Sequence, residues 1–251
     1  MKLFCIFPDI HDKPPNKKSL GAKSYHPALR CAEEVAKALK PHGIIYLGDV
    51  TEMSSLSHFD SNKQRKMEGR RYRRDIDSTR TLLDRHSKFA KEFIYCIGNH
   101  EQRVETYLDY HPECEETMDY VRDTGLVERG MEVIPYNRVK KLGKALFTHG
   151  HITTKYHAAS MAQLYQRSIF YGHTHDCQSH SVVSPVDFKE VRMAESLGCL
   201  CGLNPAWLRG RPNRWVNAVS LFYLKDNGEF NLSRHIIIRG ETVINGHRFR
   251  G

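Results

Sequence analysis

The sequence predicts a single α/β domain built on two sheets, and three observations carry this reading. The first half alternates apolar runs with amphipathic helical stretches, which implies a parallel-sheet core, because parallel neighbours are joined only by crossovers. The second half changes to two-residue alternation around a hairpin signal, the mark of antiparallel strands. The chain has 251 residues, 40% of them hydrophobic, with no internal repeat, low-complexity tract or linker to divide them, so residues 1–251 are read as one domain with a mainly β C-terminal part.

The elements follow in order. Lys2–Phe7 is a short apolar run. Over Pro27–Leu39, Ala28, Cys31, Ala32, Val35, Ala36 and Leu39 recur at three and four, which gives a helix one apolar face. Pro27 suits its first turn, and Pro41 and Gly43 stop it. A strand over 44–47, a helix over 76–90 and a strand over 93–97 complete the first alternation. Residues 144–148 and Ser168–Tyr171 are again strand-like, separated by a small-residue helix over 157–166. Ala218–Leu224 and 229–238 flank Asp226-Asn227-Gly228, a strong hairpin turn.

Composition narrows the class. With 27% charged and 10% aromatic residues, the chain is neither disordered nor fibrous. No apolar run approaches the roughly 20 residues of a spanning helix. Lys2 precedes a short apolar run and Asp9 follows it, unlike a signal peptide, so a cytoplasmic protein without a membrane partner is expected. Seven cysteines, an odd and scattered set, argue for reduced thiols, and Cys199 and Cys201 read as buried small hydrophobes. Lysine and arginine number 38 against 29 acids, a net charge of +9, which favours polyanionic partners.

Five short segments carry ligand-type residues, each just after a predicted strand: Asp9-Ile10-His11, Gly48-Asp49, Gly98-Asn99-His100-Glu101, His149-Gly150-His151 and Gly172-His173-Thr174-His175. Ligands at the carboxyl ends of neighbouring strands converge on one crevice. Carboxylate, imidazole and amide donors together suit first-row divalent metals, and oxygens are too few for a dedicated calcium site. Two such ions roughly 3.5 to 4 Å apart lower the pKa of a bridging water and neutralise phosphate oxygens. The chemistry expected is hydrolysis of phosphoric esters.

In order, spacing and strand context these motifs resemble the calcineurin-like metallophosphoesterase superfamily, whose pattern runs DxH, GD, GNH with an acid, H, and GHxH. The resemblance covers Asp9 to His175. It implies a four-layer α/β/β/α sandwich of two mixed sheets and two divalent transition-metal ions, manganese first, with iron, zinc, nickel or cobalt as alternatives. By motif Asp9, His11, Asp49 and His175 would hold one ion, and Asp49, Asn99, His149 and His173 the other. His149 is preferred over His151 because it comes first after the strand. His100 would act on the leaving oxygen, with Glu101 accepting a hydrogen bond from its imidazole. Protein phosphatases of the superfamily place an arginine before GNHE. Ile97 stands there in this chain, and the overall look is that of small phage and prokaryotic members.

A basic run follows the Asp49 motif: Lys63, Arg65, Lys66, Arg70, Arg71, Arg73 and Arg74. Its position places it at the site mouth, so Arg70, Arg71, Arg73 and Arg74, with Arg103, are expected to contact substrate. Arg209, Arg211 and Arg214 interleave with Trp207 and Trp215, a pattern that serves either base stacking or the core of the β half. The expected substrate is nucleic acid or a nucleotide, cleaved as a phosphodiester. A phosphomonoesterase shares the site, and a nucleic-acid-binding protein with a vestigial site would have lost ligands.

Overall fold

The computed structural model describes residues 1–14, 26–186 and 191–251. In chain order its strands are β1 Lys2–Phe7, β2 Gly43–Tyr46, β3 Glu92–Cys96, β4 Glu132–Ile134, β5 Lys140–Leu142, β6 Ala145–Thr148, β7 Ser168–Tyr171, β8 Ser179–Val183, β9 Val191–Ser196, β10 Ala218–Leu224, β11 Phe230–Ile236, β12 Glu241–Ile244 and β13 His247–Arg250. The helices are α1 Pro27–Leu39, α2 Gln64–Met67, α3 Tyr72–His86, α4 Arg103–Leu108, α5 Tyr120–Thr124 and α6 His157–Tyr165.

One sheet has the order β11-β10-β1-β2-β3-β4 and the other β5-β6-β7-β9-β8, with β12 and β13 as a separate ribbon. β1 to β4 run parallel, with Cys5 opposite Ile44 and Ile44 opposite Phe93, and β10 joins β1 antiparallel. In the second sheet β6, β7 and β9 are parallel, while β5 and β8 are antiparallel edges. Both sheets are therefore mixed.

Alternation along each strand builds the layers, since successive side chains point to opposite faces. Cys5, Phe7, Ile44, Tyr46, Phe93 and Tyr95 pack with Leu29, Ala32, Val35 and Ala36 of α1 and with Ile76, Leu82 and Leu83 of α3. The intervening Phe4, Ile6, Ile45, Leu47, Ile94 and Cys96 meet Phe147, Phe170 and Leu197 of the other sheet. The remaining faces of β6 and β7, through Leu146, Ile169 and Tyr171, are covered by Met161 and Ala162 of α6. This is the helix, sheet, sheet, helix sandwich that the resemblance implies.

One element's boundaries differ from expectation. The helix predicted over 76–90 is α3, Tyr72–His86, which begins four residues early because its first turn is polar and leaves no apolar period to read, and ends four residues early. Asp75 lies buried in that turn and accepts bonds from the Ser55 backbone N–H (3.0 Å) and hydroxyl (2.6 Å). The C-terminal hairpin extends the first sheet through β10. The predicted turn stands, with Gly228 at φ +83° and Asn227 Oδ1 accepting from the Glu229 N–H at 3.0 Å.

Candidate metal centre

The loops after β1, β2, β3, β6 and β7 deliver Asp9 to His11, Asp49, Asn99 with His100, His149, and His173 with His175 to one place. The turns there are sharp. Asp9 (φ +42°), His11 (+50°), Asp49 (+50°), His173 (+68°) and His175 (+59°) all sit in the left-handed region, where a non-glycine residue persists only if its surroundings over-determine it. Cross-loop bonds do so: the His11 N–H donates to the Asp49 carbonyl at 2.8 Å, and the His173 N–H to Asp9 at 3.0 Å. The approach is close enough that a Cβ on Gly98 would lie 2.2 Å from Asp49 Oδ1, and one on Gly172 2.2 Å from Asp9 Oδ2. Any larger residue there would displace a carboxylate.

The donor atoms form two groups that share Asp49. Asp9, His11, Asp49 and His175 offer one donor each within 4.8 Å of one another, as do Asp49, His149 and His173. Asn99 Oδ1 completes the second group at 2.9 Å from His149 Nε2 and 2.8 Å from His173 Nδ1. Asp49 turns Oδ1 toward His149 (3.5 Å) and Oδ2 toward His11 (3.7 Å). One oxygen facing each group is the disposition of a bridging carboxylate. The mixed donor set fits two first-row divalent ions. His149 is buried within the centre and His151 is exposed outside it.

Outer partners turn the imidazoles inward. His11 Nδ1–H donates to Glu52 Oε2 at 2.9 Å, and His149 Nδ1–H to the Leu47 carbonyl at 2.7 Å, which leaves Nε2 of each ring as the inner donor. The Cys201 sulfur sits 3.8 Å from His175 Nδ1, behind that ring. Sequence reasoning assigned no role to Glu52. Its signal was only its place three residues after Asp49, and its position beside His11 comes from packing the first two loops together.

Glu101 departs from expectation and does not hold His100. Its carboxylate accepts from the backbone N–H groups of Asp49 (3.0 Å), Thr51 (3.0 Å) and Gly98 (2.9 Å) and from the Tyr95 hydroxyl (3.2 Å). Those four donors occupy both oxygens, so Glu101 ties the Asp49 loop to the Gly98 loop. His100 is held otherwise: Nδ1–H donates to the Glu52 carbonyl at 2.7 Å, and Arg103 Nη2 donates to Nε2 at 3.0 Å. Arg103 also donates to the Glu52 carbonyl at 2.9 Å. The structure thus places Arg103 against the Nε2 edge of His100, in contact with the imidazole and the 52–53 backbone.

Electrostatics give the ligands distinct protonation states. Burial works against the charged His175, but the Asp9 carboxylate 3.2 Å away outweighs it and raises its pKa well above the ordinary value. Asp9 is correspondingly lowered, its burial outweighed by His175. Burial and the Asp9 charge push Asp49 well up. Burial, then His149, lowers His173 to about 4, and burial with His175 lowers His11. In the metal-free protein the raised His175 favours its protonated form, and that proton must be displaced by an arriving cation. Metal affinity should rise with pH, roughly tenfold per pH unit for each proton displaced. Calorimetry of metal binding in two buffers of different ionisation enthalpy checks this, and identical heats in both would refute it.

A cavity of about 500 Å³ opens over these groups, lined by His11, Asp49, Asn99, His100, His173 and His175, by His26 at the N-cap of α1 and Leu29 within it, and by Pro205, Trp207 and Trp215. The tryptophans thus belong to the site wall and not to the β core. The basic run stands one layer out, and none of its residues is among the described lining. Lys63, Lys66 and Arg70 converge on Asp60 (3.0, 3.3 and 3.1 Å), Arg70 also donates to the Ser54 carbonyl at 3.0 Å, and Arg73 pairs with Asp77 at 3.1 Å. Arg71 is exposed and Arg74 half-buried, each donating to a nearby backbone carbonyl. Among the described residues no helix is long and apolar enough to cross a membrane.

A search among curated proteins returned no match. Residues 3–177 match the calcineurin-like phosphoesterase family, and that span takes in all five ligand-bearing loops and the strands of both sheets from which they leave. The chain belongs to the calcineurin-like phosphoesterases and is a metal-dependent phosphoester hydrolase.

Proposed function

We propose that this hydrolase is a phosphodiesterase acting on nucleic acid or nucleotides. The observation that carries the reading is the cavity wall, where Lys13 is the one lysine or arginine among the described lining residues. A monoester presents three terminal oxygens and nearly two negative charges, which call for cationic donors beyond two metal ions. A diester presents two non-bridging oxygens and one charge, which two ions neutralise. At the position before Gly98, where phosphoprotein phosphatases of the family carry an arginine, Ile97 is buried.

Asp9, His11, Asp49 and His175 would hold one ion and Asp49, Asn99, His149 and His173 the other. When bound, the pair supplies Lewis-acid polarisation of the phosphorus centre and an activated water. The protein's own groups do the rest. Glu52 and the Leu47 carbonyl fix the ring tautomers, Glu101 holds the loops in register, and His100 meets the leaving oxygen from the cavity wall with Arg103 setting its ring. Exposed arginines of the basic run take the phosphates of a longer strand beyond the cavity.

The test is a panel with Mn²⁺. Turnover of bis-p-nitrophenyl phosphate, as kcat/KM, should exceed that of p-nitrophenyl phosphate by at least about tenfold, one kcal/mol-scale discrimination in the transition state, and the reverse ratio would overturn the reading. Replacing Arg71, Arg73 and Arg74 by alanine should weaken DNA or RNA binding and reduce the slope of log K against log salt by about 0.7 to 0.9 per lost contact. Arg70 is left in place, because its bonds to Ser54 and Asp60 support the loop that follows Asp49. Unchanged binding over a salt series would make the run a solvated surface.

A further inference from the structure

Trp207 and Trp215 are the two tryptophans of the chain, and both line the cavity over the metal centre. Their rings meet edge to face at 5.8 Å, and Trp215 packs edge-on against His175 at 4.1 Å. Trp207 is 54% exposed. A large aromatic ring left half in water beside a polar site needs a reason, since burying it would ordinarily be favourable. Arg209, Arg211 and Arg214 are exposed on the same segment, outside the cavity lining. The cavity is of a size that holds a nucleotide-scale ligand.

We infer that Trp207, held by Trp215, is a stacking shelf for the base of the nucleotide whose phosphate lies at the metal centre. The inference rests on reading the site as one for nucleotide esters and adds a selection among them: a planar ring attached to the esterified sugar gains affinity that a bare sugar phosphate does not. Trp215 acts from behind. Its contact with His175 fixes the pair relative to the metal ligands, so that phosphate and base are read by one rigid unit. Stacking is tolerant of base identity because every base has a π face, so the shelf selects for nucleotides without selecting among them.

Because the chain has no other tryptophan, intrinsic fluorescence reports on this shelf directly. Adenosine 5′-monophosphate, titrated into the full chain in Mg²⁺ buffer, should quench the emission, and ribose 5-phosphate should not. By calorimetry the nucleotide should bind more tightly than ribose 5-phosphate by roughly 5- to 100-fold, the range of base–aromatic stacking. Trp207→Ala should erase that preference, and Trp207→Phe, which keeps a π face, should retain most of it. The side chain is exposed, and a melting curve of each variant verifies folding. Equal affinities of wild type for the two phosphates, or a preference that survives Trp207→Ala in a folded variant, would overturn the proposal. The diesterase reading fails separately: a protein that prefers the nitrophenyl monoester yet still binds the nucleotide over ribose 5-phosphate loses that reading and keeps the shelf.

Discussion

Asp49→Ala is expected to remove both metal ions at once and to lower kcat/KM by roughly 10³- to 10⁵-fold. The reason is geometric, since one carboxylate faces both donor groups, Oδ1 toward His149 and Oδ2 toward His11. Without it each group retains only donors from its own side, and nothing charged separates the two cations. The rate loss follows from the several kcal/mol of charge stabilisation that two ions supply to a phosphoryl transition state, at about 1.4 kcal/mol for each tenfold. Asp49 Oδ1 also accepts the His100 N–H at 2.8 Å, so the loop that carries Asn99 loosens as well. Elemental analysis should find less than one ion per chain where wild type holds about two, as the two donor groups predict. His173→Ala provides the contrast, because it touches one donor group and should cost one ion. Undiminished hydrolysis by metal-stripped Asp49→Ala protein would sink the assignment.

For His100→Ala the expectation is a fall in kcat of roughly 10² to 10⁴ on a diester with a poor leaving group, with metal content unchanged. His100 lines the cavity, its Nδ1–H is committed to the Glu52 carbonyl and its Nε2 accepts from Arg103, so Nε2 meets a leaving oxygen only by exchanging that bond. Burial, with His11 and Arg103 nearby, holds its pKa well below the ordinary value. The neutral imidazole is therefore the favoured form in the free protein. A nitrophenolate leaves without much help, whereas a nucleoside alkoxide does not, so the defect should shrink on the nitrophenyl diester. Arg103→Met should reproduce part of the loss, because its bond to Nε2 at 3.0 Å sets the ring. An equal defect on both leaving groups, or loss of metal in His100→Ala, would make the residue a structural support or a ligand.

What was legible in the sequence was whatever depends on short-range order. The period-three-and-four spacing of α1 and the turn at Asp226 to Gly228 are local, and the structure reproduces both. The ligand loops were legible because each pairs a glycine with a donor directly after an apolar strand, so the alternation that buries β1, β2, β3, β6 and β7 also fixes where their last residues emerge. Short edge strands such as β4 and β5, and the ribbon of β12 and β13, carried too few alternating residues to stand out.

The sequence by itself therefore determined the fold class and the family, and named the side chains that the fold gathers in one place. Only the tertiary structure decided what each donor leans on. Glu101 reaches three backbone N–H groups in preference to the neighbouring imidazole because its side chain points back beneath the strand ends, a direction that its place in the chain does not reveal. Glu52 acquires its role toward His11 across 41 residues of chain, and its carbonyl holds His100 and Arg103 across 48 and 51. The arginine-rich run, dense on paper, folds partly onto Asp60 and Ser54, and the tryptophans arrive at the cavity from the far end of the chain. Periodicity records which face of an element is buried, but the direction of a polar side chain in a loop is set by whichever donors and acceptors the finished fold brings within reach.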